Sequence, residues 1–374
     1  LSVIDGNIEC IDCNKGKDGD VLDCQGRILV PPFVNSHAHL TIALTLGAVR
    51  PNRSGTLIEG NEIYRDVLRN LDSGEFRRRL KLLSDVMFMR GILYVRSHDP
   101  PTYLKDLLAL RKNMPISIQE VVFPPPGFIF ENSSTIENFL MDGAEVLGGI
   151  PHAEDTYVDG ITSVKLVLEI ASSMGKMVDL HVDETDDPDS RFALYAIKEA
   201  KRRDMCKRLT LSHITASHSY PTNYWDSIQP CGSVVLNPLT NSFLQGRYDN
   251  YPKRRGIARL SSLISKGFNV SLGTDNVEDS VFPLGDFNMI RILHEMLLLE
   301  DWHEPEALLS TVTFNGAKVL GIEDYGYPRV ERRAELVVLD CRDLIECNSS
   351  SMPFLVVRGK TMSDSKSSSL ISTD

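Results

Sequence analysis

No stretch of this chain approaches the roughly 20 apolar residues that a membrane-spanning helix needs, and no secretory signal pattern is visible. No membrane partner is therefore expected. Basic clusters are equally scarce. The net charge is −11, and the densest basic stretches are Lys201-Arg202-Arg203 and Lys253-Arg254-Arg255. Both read as solvated ends of elements, so a nucleic-acid partner is not expected either. Seven cysteines make an odd count, and the pair Cys10 and Cys13 has no second C-x-x-C to complete a zinc site. Free thiols in a reducing compartment are expected, which points to the cytoplasm. The chain begins at Leu1 without Met, which leaves targeting open.

Several catalytic signatures are missing too. His294-Glu295 and His303-Glu304 lack the second histidine of H-E-x-x-H, and neither G-x-S-x-G nor a P-loop occurs. His152-Ala153-Glu154 matches H-x-E, but Pro230-Cys231 lacks the second cysteine of P-C-x-x-C. That argues against the small Cys-ligated nucleoside deaminases.

What is present is an alternation. The 374 residues suffice for one large α/β domain and a smaller one. Apolar, β-branched runs at 28–34, 92–96, 116–123, 145–150, 177–180, 208–211, 233–236 and 269–272 are separated by helical patterns such as 76–90, 162–173, 191–202 and 287–299. Strands alternating with helices imply a parallel sheet, and eight such units imply closure into a (β/α)8 TIM barrel. The long stretch between Leu236 and Asn269 suggests an insertion. Residues 1–28 and 330–362 carry short strand patterns and are expected to pair as a small β domain outside a barrel of 29–329. The Ser-rich end, 363–374, reads as a disordered tail.

The informative polar residues sit at the ends of these runs. His37 and His39 close "ILVPPFVNSHAH", two residues apart and so on one face of a strand. His181 closes "MVDLHVDE", His213 closes "LTLSHITASH", and Asp275 closes "FNVSLGTDN". In a barrel the strand C-termini converge on one face. Neutral imidazoles and a carboxylate there suit one divalent ion, which lowers the pKa of water and makes a hydrolase. Glu184, three residues after His181, would give such a site its own proton carrier. His213 is the candidate for orienting the attacking water, with His218 in reserve, and Asp275 can both bind metal and accept a proton. Asp183, Asp186 and Asp187 read as structural or as caps of the next helix. His98 and His152 also close apolar runs and are candidates for lining the pocket.

These residues resemble the amidohydrolase superfamily: "FVNSHAH", "HVDETDD", "SH" and "GTDN" occur at its spacings. The closer likeness is to bacterial-type cytosine deaminases. It rests on "NRSGTLIEG", "VDLHVDETDDPDSRF", "SHITASHSY", "NPLTNSFLQGRYDNYPKRRGI" and "FPLGDFNM", and spans about Leu29 to "AELVVLD". The resemblance implies a mononuclear centre of iron or zinc, one ion per chain, ligated by His37, His39, His181 and Asp275. The end of the fourth strand, "VLGGIPHAE", has no lysine to bridge a second ion. Glu184 matches the family's proton shuttle, His213 its catalytic histidine beside the metal, and the Leu57 backbone a segment that contacts the pyrimidine.

Two departures concern the substrate. Pro125 stands where cytosine deaminases place a glutamine, and Asn276 where they place a carboxylate; nearby, Val281 replaces a pocket aromatic. A lost partner for a buried polar edge costs about 1–3 kcal/mol. The expectation is a deaminase of a small nitrogen heterocycle for which cytosine is a poor substrate. Hydrolysis of a cyclic amide or an N-alkylamino-triazine is the alternative on the same centre, and a non-catalytic binding protein is the reading from another class. A small heterocyclic substrate is the expected partner, and a homo-oligomer is compatible with this composition.

Overall fold

The computed structural model describes residues 1–12, 21–221, 223–300, 304–347, 352–364 and 371–372. Strands β1 (Ser2–Ile4) and β2 (Asn7–Cys10) form an antiparallel hairpin. The next apolar run was expected as one barrel strand, and the structure divides it. Pro31 and Pro32 have no N–H to give a ladder. Before them, β3 (Leu29–Val30) pairs with a strand from the other end of the chain; after them, β4 (Phe33–Ala38) opens the barrel.

The barrel continues through β5 (Ile92–Asp99), β6 (Ser117–Val122), β7 (Val146–Gly149), β8 (Met177–Val182), β9 (Leu209–His213), β10 (Ser233–Leu236) and β11 (Asn269–Leu272). These eight strands form one parallel sheet in chain order. The two edges meet at a bridge between Ala38 and Asp275, where Asp275 N donates to His37 O at 2.9 Å. Two candidate ligands thus sit on the closing seam. Helices such as Ser73–Met89, Tyr157–Ser173 and Phe192–Arg202 cover the outside. Asp72 caps the first through Glu75 N at 2.8 Å, and Thr156 caps the second through Asp159 N at 3.1 Å. The third begins without a cap of its own; Asp183 accepts from Phe192 N and Ala193 N at 2.8 and 3.0 Å instead. That is the helix-capping role read for this aspartate.

The core is the layer between strands and helices, where Leu80, Leu83, Met87, Leu104, Val167 and Leu180 are fully or almost fully buried. The stretch after β10 holds a helix, Pro238–Leu244, and a loop that Arg254 ties down through Asp249 and the Asp186 carbonyl.

A second sheet collects β3, β12 (Glu335–Val338), β13 (Leu355–Arg358), β14 (Thr361–Asp364) and β15 (Ile371–Ser372). Arg358 docks it on the barrel by donating to Leu93 O, Pro115 O and Ser117 Oγ. Strand β14 runs past position 363 and β15 pairs with it, so strand structure extends into the expected disordered tail; 365–370 and 373–374 lie outside the described residues. The free-thiol expectation is also corrected. Cys206 pairs with Cys231 and Cys341 with Cys347 in disulfides, and Cys24 is the free cysteine among the described residues. Cys13 lies outside them. No described helix is long and apolar enough to cross a membrane.

Candidate metal centre

The polar run-ends converge at the C-terminal mouth of the barrel. His37 Nε2 lies 3.1 Å from His181 Nε2, which lies 3.4 Å from His39 Nε2. Asp275 Oδ1 is 3.2 Å from His39 Nε2 and 3.6 Å from His37 Nε2. Ligand bonds of about 2.0–2.2 Å in a tetrahedron put neighbouring donor atoms roughly 3.3–3.6 Å apart. The four contacts are close to that spacing, and among the described residues the sets whose donor atoms all lie within 4.8 Å of one another are His37, His98 and His181, and His37, His213 and Asp275. His37, His181 and Asp275 are buried and His39 is nearly so.

The donor chemistry suits an ion at His37, His181 and Asp275, and at His39 once the ion displaces a proton. Asp275 Oδ1 is buried with no well-aligned hydrogen bond, its near neighbours being the Nε2 atoms of His39 and His37, and a carboxylate oxygen so placed calls for a cation beside it. Burial, reinforced by repulsion from the neighbouring histidines, holds His37 and His181 well below the usual imidazole pKa, so both rings offer a lone pair. At His39 burial works the same way, but the Asp275 carboxylate overcomes it and raises the pKa to about 9. At Asp275, in turn, burial is overcome by His39 and the pKa falls.

Backbone strain marks two of these positions. His213 and Asp275 have φ of +73° and +58°, a region that non-glycine residues rarely occupy and that clusters at functional sites. The left-handed turn at Asp275 lies three residues past the end of β11, and that at His213 ends β9.

Glu184 and His213 stand beside the four donors. His213 Nδ1 lies 3.3 Å from Glu184 Oε1 and 4.0 Å from Asp275 Oδ2. Burial pushes Glu184 above the usual carboxylate value against the pull of His213, and Asp275 adds to the rise. Asn241, on the helix after β10, contacts both: Nδ2 donates to Glu184 Oε1 at 3.1 Å, and Oδ1 is 3.2 Å from His213 Nδ1. Asn237 Nδ2 is 3.3 Å from the same nitrogen. Sequence reasoning gave neither asparagine a role, although both lie in the quoted run "NPLTNSF".

The expected pocket residues fall into two groups. His98 stacks on His37 with ring centroids 3.9 Å apart, and donor atoms of His37, His98 and His181 all lie within 4.8 Å of one another. His152 Nδ1 lies 3.1 Å from the His181 carbonyl; burial, aided by His213, lowers its pKa to about 4 and keeps it neutral. Asn276 and Val281 are buried, and both donate to Asp279, through Nδ2 at 2.9 Å and backbone N at 2.8 Å. Leu57 is half-buried at the start of the helix Leu57–Asn70. Pro125 is exposed. From the same strand end, buried Phe123 packs its ring 4.3 Å from that of His181, an apolar neighbour the sequence did not single out. His218 Nδ1 turns to the Thr215 carbonyl, which leaves His213 as the histidine beside Glu184.

Known proteins share this fold. The model of the amidohydrolase family matches residues 129–361. A crystal structure of 5-methylcytosine deaminase from Klebsiella pneumoniae, liganded with 5-fluorocytosine, superimposes with a TM-score of 0.89 at 32% identity, over 96% of this chain and 92% of that one. N-isopropylammelide isopropyl amidohydrolase of Pseudomonas sp. (strain ADP) is 24% identical over 353 residues, 87% of this chain and 83% of its own length. Pterin deaminase of Rhizobium rhizogenes (strain K84 / ATCC BAA-868) is 24% identical over 345 residues, 86% of this chain and 76% of its own length.

Proposed function

The chain belongs to the amidohydrolase family, and from that premise we propose that it deaminates a small amino-bearing nitrogen heterocycle, with a 5-substituted cytosine as the first substrate to try. The observation that carries the reading is the placement of Glu184 and His213 against the four donors His37, His39, His181 and Asp275.

In this reading His37, His39, His181 and Asp275 hold one divalent ion, zinc or iron. When bound, such an ion supplies Lewis acidity and brings the pKa of water toward about 7. His213 and Asp275 orient the attacking water and take its proton. Glu184, whose affinity for a proton is raised by burial, donates to the ring nitrogen beside the amino-bearing carbon. Water oxygen adds to that carbon as the proton reaches the ring. Glu184, now a carboxylate, takes the proton left on the added hydroxyl and passes it to the amino group; the C–N bond breaks, the carbonyl forms, ammonia leaves, and the proton first taken from water returns to Glu184. Asn241 holds Glu184 and His213 in register while the proton moves.

The substrate class follows from the likeness to 5-methylcytosine deaminase and from Val281, a smaller side chain where an aromatic stands in cytosine deaminases. Leu57, Asn276, His98 and His152 are the proposed neighbours of the ring. A second reading, release of an alkylamine from an N-substituted triazine, draws on the likeness to N-isopropylammelide isopropyl amidohydrolase. A binding protein that kept only the fold would have no need to retain the donors together with Glu184. The test is a panel of cytosines, aminotriazines and pterins incubated with the zinc- or iron-loaded chain, reading ammonia and alkylamine separately. Ammonia from a 5-substituted cytosine supports the proposal; alkylamine alone supports the second reading; neither product from any compound overturns both.

A further inference from the structure

An imidazole that binds metal through one ring nitrogen presents N–H at the other, so the partner of the outer nitrogen selects the tautomer. For His39 that partner is a backbone carbonyl, His98 O, at 2.9 Å. For His181 it is none: Nδ1 is buried and unpartnered. For His37 it is a chain of side chains from three other strands. His37 Nδ1 lies 3.1 Å from Ser212 Oγ on β9, and Ser212 Oγ donates to Asp179 Oδ1 on β8 at 2.6 Å. Asp179 Oδ2 accepts from Arg96 Nη1 on β5 at 2.9 Å. Arg96 is itself held by Thr210 Oγ1, Gln119 Oε1 and the Val319 carbonyl. His37, Ser212, Asp179 and Arg96 are all completely buried.

The chain has one consistent direction. Arginine only donates, so the carboxylate facing it only accepts. The single Ser212 proton is committed to Asp179, which leaves Ser212 a lone pair for His37. His37 Nδ1 must then carry the hydrogen, and Nε2 carries the lone pair. Nε2 is the atom that faces His181 and Asp275.

The position of these groups is also telling. Side chains two apart on a strand share a face. Asp179 and Arg96 therefore lie one layer beneath His181 and His98, inside the barrel. That interior is ordinarily filled by branched apolar side chains. An ion pair there has to offset a desolvation cost that an apolar pair of similar volume avoids, so its presence asks for a reason other than stability.

We propose that Arg96, Asp179 and Ser212 form a positioning chain that locks His37 in its Nδ1–H tautomer and so preorganises a divalent-cation site. The proposal rests on the metal reading above, and its test reads binding rather than turnover. Zinc affinity of the metal-free full chain is measured by competition with a chromophoric chelator, for wild type, Ser212→Ala and Ser212→Thr. Ser212→Ala is expected to weaken zinc binding by about 10–100-fold. Ser212→Thr, which keeps the hydroxyl, is expected to restore most of the loss. ¹⁵N-histidine NMR of the metal-free wild type, which needs no variant to fold, should show His37 protonated at Nδ1. Equal zinc affinity in wild type and Ser212→Ala, or an Nε2–H tautomer at His37, overturns the proposal alone. A wild-type chain that binds no zinc or iron overturns the metal reading, and this proposal with it.

Discussion

Asn241 Nδ2 donates to Glu184 Oε1 across 3.1 Å, joining the helix after β10 to the carboxylate that follows β8. The same amide faces His213 through Oδ1. One side chain thus fixes the distance between the two groups proposed to handle protons. Misplacement of a catalytic group by about 1 Å can cost 10²-fold in rate. Asn241→Ala is expected to lower kcat by about 10–100-fold while KM and metal content change little. Steady-state kinetics with metal analysis checks this, and an unchanged kcat would contradict the positioning role.

Glu184→Gln keeps the shape and the hydrogen bond to Asn241 but cannot transfer a proton. General acid–base groups typically contribute 10²–10⁴-fold. The variant is expected to hold as much metal as wild type and to lose turnover by about that factor. Near-wild-type activity would remove Glu184 from the mechanism.

Cytosine itself should be a poor substrate. Sites built to hydrogen-bond a polar ring discriminate strongly when a partner is missing. Here Pro125 is exposed and has no side-chain donor or acceptor, and the Asn276 amide is engaged by Asp279. The expected kcat/KM for cytosine lies below about 10⁴ M⁻¹s⁻¹, the lower end of the usual enzyme range, with a 5-substituted cytosine above it. A cytosine value at or above that figure would show that other groups supply the lost contacts.

Asp279 links this pocket wall to stability. Burial pushes its pKa up to about 6, against hydrogen bonds from Phe282 N, Asn276 and Val281 N. Its ordinary value is 3.8. Between about pH 4 and 6 the folded chain keeps a proton that the unfolded chain has released. The stabilisation tied to that proton is complete below the ordinary value and is lost as pH rises through 6, by about 3 kcal/mol in all. Asp279→Asn does not titrate. In thermal unfolding of the metal-free proteins, the melting temperature of the variant relative to wild type should rise from pH 4 to pH 7. A difference that stays constant across that range would place the Asp279 pKa near its ordinary value.

Much of the site could be read from local sequence because its residues follow strand patterns directly. His37 and His39 are spaced to share a strand face, and His213 ends its run. The run ending at Leu180 proved two residues longer, so His181 lies within β8 rather than after it. Other features depend on proximity across the fold and leave no local pattern. Asn241 acquires its role only because the helix after β10 folds over β8 and β9. Arg96 and Asp179 sit in strands that are not sequence neighbours, and nothing in either strand names the other as partner. The pairing of Cys206 with Cys231 spans 25 positions and was equally hidden. Pro31-Pro32 did carry a local signal, since two residues without N–H cannot sit inside a barrel strand, and it marks the point where the chain passes from the small sheet into the barrel.

The central claim is a metal-dependent hydrolysis at one ion per chain. The most direct measurement titrates zinc or iron into the chelator-stripped protein and follows ammonia release from a 5-substituted cytosine against bound metal. The account predicts negligible release from the stripped chain, a linear rise with loading, a plateau near one ion per chain, and no recovery in His181→Ala or Asp275→Ala. Full activity in the stripped chain, or a plateau only near two ions per chain, would contradict it.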